Sequence, residues 1–124
     1  MFNPLAPVPN PSKAQLKDRE TKELIKQDVL RTLQEFEFFK RTSTRDTLTQ
    51  ILYLWAAEHP DPGYKQGMNE LLAVILIVFD TERAAKMEAF DPVYLRHDTY
   101  MFFDALMQKL RVVDLYQEIN DFSS

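Results

Sequence analysis

Ile25, Val29, Leu33 and Phe36, with Leu24 at the edge, cluster on one face when each residue turns 100°. That spacing predicts an amphipathic helix leading from the charged stretch Lys13–Glu23 to about Phe36. Phe38 and Phe39 break the period and read as aromatic anchors beyond it. Leu48, Ile51, Leu52 and Trp55 follow at i, i+3, i+4 and i+7 and predict a second helix. Ser43 with Asp46 reads as its variant capping box, and His59-Pro60 as its stop, since proline disfavours α geometry in the preceding residue. Asp61-Pro62-Gly63 is a turn by composition. The apolar run Leu71–Phe79 contains β-branched Val74, Ile75, Ile77 and Val78, so a buried strand competes with a buried helix. No partner strand is legible elsewhere. A helix from about Gln66 to Phe79 is therefore expected, with Met68, Leu71, Leu72, Ile75 and Leu76 in the core. Residues 80–91 read as a charged connector. Asp98 is expected to cap a helix carrying Tyr100, Phe103, Leu106, Met107 and Leu110, which continues after a bend through Val112–Phe122. The expected fold is all-α, with four or five helices.

Composition narrows the function more than the fold. Prolines at 4, 7, 9 and 11 make residues 1–12 an extended arm, read as a linker, ahead of a helical portion spanning 13–124. Two glycines are too few for a small fold of tight β-hairpins. The absence of cysteine removes disulfides, thiolate metal sites and a cysteine nucleophile, and permits a reducing compartment. The net charge is −4, with the acidic excess in the second half and no basic groove, so nucleic acid is not an expected partner. The longest apolar run, nine residues, falls well short of the ~20 a membrane span needs. No transmembrane segment and no secretory signal are legible, and a cytoplasmic protein is expected. His59 reads as a helix-terminal residue and His97 as an exposed neighbour of the Asp98 cap. Neither belongs to a metal-ligand cluster, and no metal site is expected. No phosphate-binding glycine loop or Gly-x-Ser-x-Gly elbow occurs, so a self-contained enzyme is not expected.

Two short segments stand apart. In Ile25-Lys-Gln-Asp28-Val-Leu-Arg31-Thr32, Asp28 and Arg31 are three apart and pair across one helical turn, off the apolar face, with the guanidinium projecting outward. Taken alone, that is an ordinary surface ion pair, worth about 0–1 kcal/mol. In Tyr64-Lys-Gln66-Gly67-Met68-Asn69, a glutamine at a helix start can offer its amide outward because Gly67 adds no side chain. Alone, this is a plain loop-to-helix junction.

Together the segments carry more. Ile25-x-x-Asp28-x-x-Arg31-Thr32, followed 35 positions after its arginine by the Gln66 of Tyr64-x-Gln66-Gly67-Met68, resembles the TBC domain family, GTPase-activating domains for Rab GTPases. Asn3-Pro4-Leu5, Gln27-Asp28-Val29, Phe38-Phe39 and Pro92-x-Tyr94-Leu95-x-His97-Asp98-x-Tyr100 look like one branch of it, that of the fifth human-type member. The resemblance implies an all-α fold and the N-terminal half of a domain whose two helical halves share a GTPase groove. It further implies Arg31 as an arginine finger and Gln66 as a glutamine finger, with Asp28 holding Arg31 and Tyr64 buttressing the glutamine loop. Thr32 and Gly67 would support the fingers or meet the partner. The implied partner is a Rab-family small GTPase, which brings GTP and Mg²⁺, so no cofactor of the chain's own is implied. The chain would be an activator supplying catalytic residues in trans, recruited peripherally to endomembranes through partners. Two positions depart from the family pattern: Gln34 stands where a proline is usual, and Ser12 where a tryptophan often lies upstream. The competing expectations are a catalytically silent helical module that recruits a Rab or another trafficking partner, and a plain structural fragment.

Overall fold

A computed structural model describes residues 12–85 and 92–123. The proline-rich arm up to residue 11, and residues 86–91 of the expected connector, lie outside the described residues. Within them the chain forms α1 (Lys13–Leu30), a 3-10 turn (Glu37–Lys40), α2 (Thr42–Glu58), α3 (Met68–Ala85) and α4 (Pro92–Ser123), with no strand among the described residues. The all-α expectation holds, and the run Leu71–Phe79 is helical.

Local hydrogen bonding explains where helix ends differ from the pattern. Ser12 caps α1 in a reciprocal box with Gln15, each side chain accepting the other's backbone N–H. α1 stops at Leu30, well short of Phe36, because the Thr32 hydroxyl donates to the Asp28 carbonyl at 2.6 Å and Leu33 turns to φ +45°. Gln34 and Arg45 stitch the turn that follows. The Gln34 amide donates to the Thr32 carbonyl (2.8 Å), and Arg45 donates to Gln34 Oε1 (2.6 Å) and to the Phe39 carbonyl (3.2 Å). The expected Ser43–Asp46 box is not formed; α2 starts two residues earlier, with Arg41 as an N-cap that makes no side-chain capping hydrogen bond. His59 ends α2 as expected. α3 begins at Met68, leaving Gln66 and Gly67 in the preceding turn, and runs on to Ala85, so residues 80–85 are helix rather than connector. Asp98 is not a cap either. α4 begins at Pro92, a residue suited to the first helical position, and the interior Asp98 accepts a 3.0 Å hydrogen bond from Arg83 of α3. α4 then continues unbroken through the expected bend.

α2 lies at the centre, against α1, the 3-10 turn, α3 and α4. Its Leu48, Ile51, Leu52 and Trp55 meet Ile25 and Val29 of α1, Phe39, and Met68, Leu72, Ala73, Ile75 and Leu76 of α3, with Leu95 and Phe103 of α4 closing the core. Leu71, expected in that set, is only partly buried against it. The Trp55 indole N–H donates to Asp104 (3.0 Å), and its ring stacks on His59 at 4.4 Å and meets the Phe103 ring at 5.7 Å. No described helix is long and apolar enough to cross a membrane.

Leu48 is fully buried at the centre of this arrangement, whereas Val78 is half exposed on α3. Leu48→Ala is expected to lower unfolding stability by about 2–5 kcal/mol, and Val78→Ala by roughly a quarter of that or less. Urea denaturation measures both, and equal losses would place the core elsewhere.

Candidate functional site

The site forms where the end of α1 meets the turn before α3. Ile25, Asp28, Val29 and Thr32 follow one another at i, i+3, i+4 and i+7, and all four are buried. The buried stripe of α1 therefore includes two polar residues, and Asp28, expected off the apolar face, is only 2% exposed. An unpaired carboxylate there would be costly, and both its oxygens have partners. Oδ1 accepts from the Arg31 guanidinium at 2.8 Å, and Oδ2 from the Tyr64 hydroxyl at 2.6 Å.

The Asp28–Arg31 pair is asymmetric. The aspartate is sealed in, while the Arg31 side chain is 69% exposed. The remaining N–H groups of Arg31 make no hydrogen bond among the described residues. As the C-cap of α1, Arg31 has its backbone fixed as well, its N–H donating to the Asp28 carbonyl and the next N–H, that of Thr32, to the Val29 carbonyl. One end of the guanidinium is held and the other faces water.

Tyr64 reaches this carboxylate from the opposite segment. Burial, the hydrogen bond to Asp28 and that residue's negative charge all push the phenol well above the usual tyrosine range, with the Arg31 charge opposing them. Tyr64 is therefore a permanent donor at neutral pH. Two residues on, Gln66 is exposed, and its amide makes no hydrogen bond among the described residues. Gly67 follows at φ +106°, a backbone region that side-chain-bearing residues rarely adopt, although a Cβ there would meet nothing within 4 Å. The glycine is required by conformation, not by space.

The six residues singled out in the sequence are thus brought to one place. Asp28, Arg31 and Thr32 come from the end of α1, and Tyr64, Gln66 and Gly67 from the turn. A seventh, Asn69, had no assigned role. It is buried in the first turn of α3 and bonds to residues of both segments. Its signal was present: 69, 72, 73 and 76 share one helical face, and Asn69 is the polar member of an otherwise apolar set.

Comparison with known proteins bears on this arrangement. A family model described as Rab-GTPase-TBC domain matches residues 7–122. TBC1 domain family member 5 of Homo sapiens is 38% identical over 104 residues, covering 73% of this chain and 13% of the relative. TBC1 domain family member 5 homolog B of Dictyostelium discoideum is 30% identical over 104 residues, covering 74% of this chain and 10% of the relative. GTPase-activating protein GYP1 of Saccharomyces cerevisiae is 34% identical over 85 residues, covering 68% of this chain and 13% of the relative. The chain thus spans about a tenth to an eighth of the length of these proteins. No solved structure matches.

Tyr64→Phe removes the donor to a sealed carboxylate oxygen and is expected to cost about 1–3 kcal/mol at neutral pH. The sign with pH is fixed by the raised folded-state value. The phenol's contribution is complete below the unfolded tyrosine value of about 10 and is lost as pH rises above it. The gap in unfolding stability between wild type and Tyr64→Phe should therefore be constant from neutral pH to about 10 and narrow above it. A small gap that does not narrow above pH 10 would show that the Tyr64–Asp28 bond is absent in solution.

Proposed function

The chain belongs to the Rab-GTPase-TBC domain family, and on that premise we propose that it accelerates GTP hydrolysis by a Rab-family small GTPase, lending it Arg31 and Gln66 in trans. One observation carries this reading above the rest: Asp28 is buried and grips one end of an otherwise exposed Arg31, while Tyr64, bonded to the same carboxylate, leads directly to an exposed Gln66. A cation and an uncommitted amide, both facing outward from one polar anchor, are what a phosphoryl-transfer site lacks when it hydrolyses slowly by itself. The guanidinium neutralises charge that spreads over the phosphate oxygens in the transition state. Its planar, permanently charged fork suits phosphate better than an ammonium would. The Gln66 amide orients the attacking water, its carbonyl accepting and its N–H donating. GTP and Mg²⁺ arrive with the GTPase, and binding to that partner brings the chain to endomembrane surfaces. Arginine fingers supplied in this way give roughly 10³–10⁵ in rate, or about 4–7 kcal/mol of barrier.

Single-turnover hydrolysis by a panel of GTP-loaded Rab GTPases, with and without the protein, tests this. Arg31→Ala is expected to lower stimulation by about 10³ or more while leaving binding of the GTP-loaded partner little changed, because the finger meets charge that develops mainly in the transition state. Gln66→Ala should behave similarly. A Rab whose own switch glutamine is replaced by leucine should remain responsive, since the water is oriented from outside. Stimulation of the normal Rab with none of the leucine variant would remove the role given to Gln66 and spare that of Arg31. Binding with no acceleration by the wild-type protein would favour recruitment without catalysis.

A further inference from the structure

A buried primary amide is costly unless its groups are paired, and the partners of Asn69 divide between the two segments of the site. Nδ2 donates to the Thr32 hydroxyl oxygen at 2.9 Å and lies 3.4 Å from the Asp28 carbonyl. Oδ1 accepts the Gly67 N–H at 3.0 Å. The orientation of the amide follows from these partners. The Thr32 hydroxyl gives its own hydrogen to the Asp28 carbonyl, so it faces Asn69 as an acceptor, whereas a backbone N–H can only donate. One end of the Asn69 side chain thus holds the helix end that bears Arg31. The other end holds the peptide joining Gln66 to Gly67, and with it the direction in which Gln66 leaves the backbone. The Tyr64–Asp28 bond also joins the segments, but it grips a side chain two residues earlier and leaves that peptide untouched.

We propose that Asn69 is a positioning residue that sets Arg31 and Gln66 relative to one another, an inference that rests on the activator reading above. It touches neither phosphate nor water and acts through both fingers. Thr32 is its counterpart on α1, so the two fingers communicate along Thr32, Asn69 and Gly67. A displacement of about an ångström at a reacting group can cost 10²-fold in rate, which gives a single amide that leverage.

The test uses Asn69→Ala and the shape-conserving Thr32→Val, each with two readouts well below its unfolding temperature. The first is amide hydrogen exchange by NMR. In Asn69→Ala the Gly67 N–H should exchange about tenfold faster, and in Thr32→Val it should also quicken, although the substitution lies in the other segment. The Leu52 and Trp55 amides of α2 should keep their wild-type protection in both. The second readout is stimulated GTP hydrolysis by a Rab on which the wild-type protein acts. The maximal rate should fall about tenfold or more in Asn69→Ala and less in Thr32→Val, with little change in the GTP-loaded Rab concentration needed for half-maximal stimulation. A merely structural role would instead loosen α2 as well. If Asn69→Ala does not fold, Thr32→Val decides alone. Wild-type exchange at Gly67 in both variants overturns the proposal, as does faster exchange with an unchanged maximal rate. A wild-type protein that stimulates no Rab overturns the activator reading, while the exchange readout still decides whether Asn69 ties the segments.

Discussion

A carboxylate with 2% of its surface in water is the constraint from which the rest of the site follows. Asp28 must be paired on both oxygens, because an uncompensated buried charge costs several kcal/mol. Meeting that need draws the Arg31 guanidinium back over the end of α1 and brings the Tyr64 phenol across from the segment between α2 and α3. The residue's backbone carbonyl is a second gathering point, taking the Thr32 hydroxyl and lying within reach of the Asn69 amide. Four side chains from two segments thus converge on one residue. The helices hold them there: Val29 and Met68, beside the two segments, are anchored in the core that α2 organises.

The periodic parts of the fold were legible, and of its punctuation the His59 stop was, but most of the other helix ends were not. Leu48, Ile51, Leu52 and Trp55, and likewise Leu72, Ile75 and Leu76, are core because their spacing admits one buried face. Helix ends depend on bonds between residues the pattern does not connect. Nothing near Phe36 announces that Thr32 will take the Asp28 carbonyl, or that Arg45, in the next helix, will hold Gln34. Asp98 has the chemistry of a cap and instead meets Arg83 across a helix pair. At the site, the outward-facing Arg31 and Gln66 were legible as motif residues. The burial of Asp28 was not, since counting apolar positions passes over a polar residue even when Ile25, Asp28, Val29 and Thr32 make an unbroken stripe. Asn69 was missed for the same reason.

Gln34 shows how a departure from the family pattern can be absorbed. Proline at that position would restrict the backbone through its ring. Gln34 restrains the same turn through its side chain, binding the Thr32 carbonyl with its amide and receiving Arg45 on its oxygen. These bonds stabilise a stretch in which Leu33 sits at φ +45°, a conformation costing an ordinary residue roughly 1–2 kcal/mol. The turn after Arg31 is thus held by a polar clasp that links α1 to α2.

The one-sided grip on Arg31 also bears on entropy. A free arginine side chain carries about 2 kcal/mol of rotamer freedom, which it forfeits when it docks on an anion. Here part of that freedom is given up within the fold, because Asp28 holds one edge of the guanidinium and the C-cap geometry fixes its backbone. On the activator reading proposed above, some of the ordering is thereby done in folding the helix end rather than in meeting a phosphate. An anion approaching the exposed edge encounters a cation whose direction is already set, and pivoting about a fixed contact requires less reorganisation than recruiting a freely moving chain.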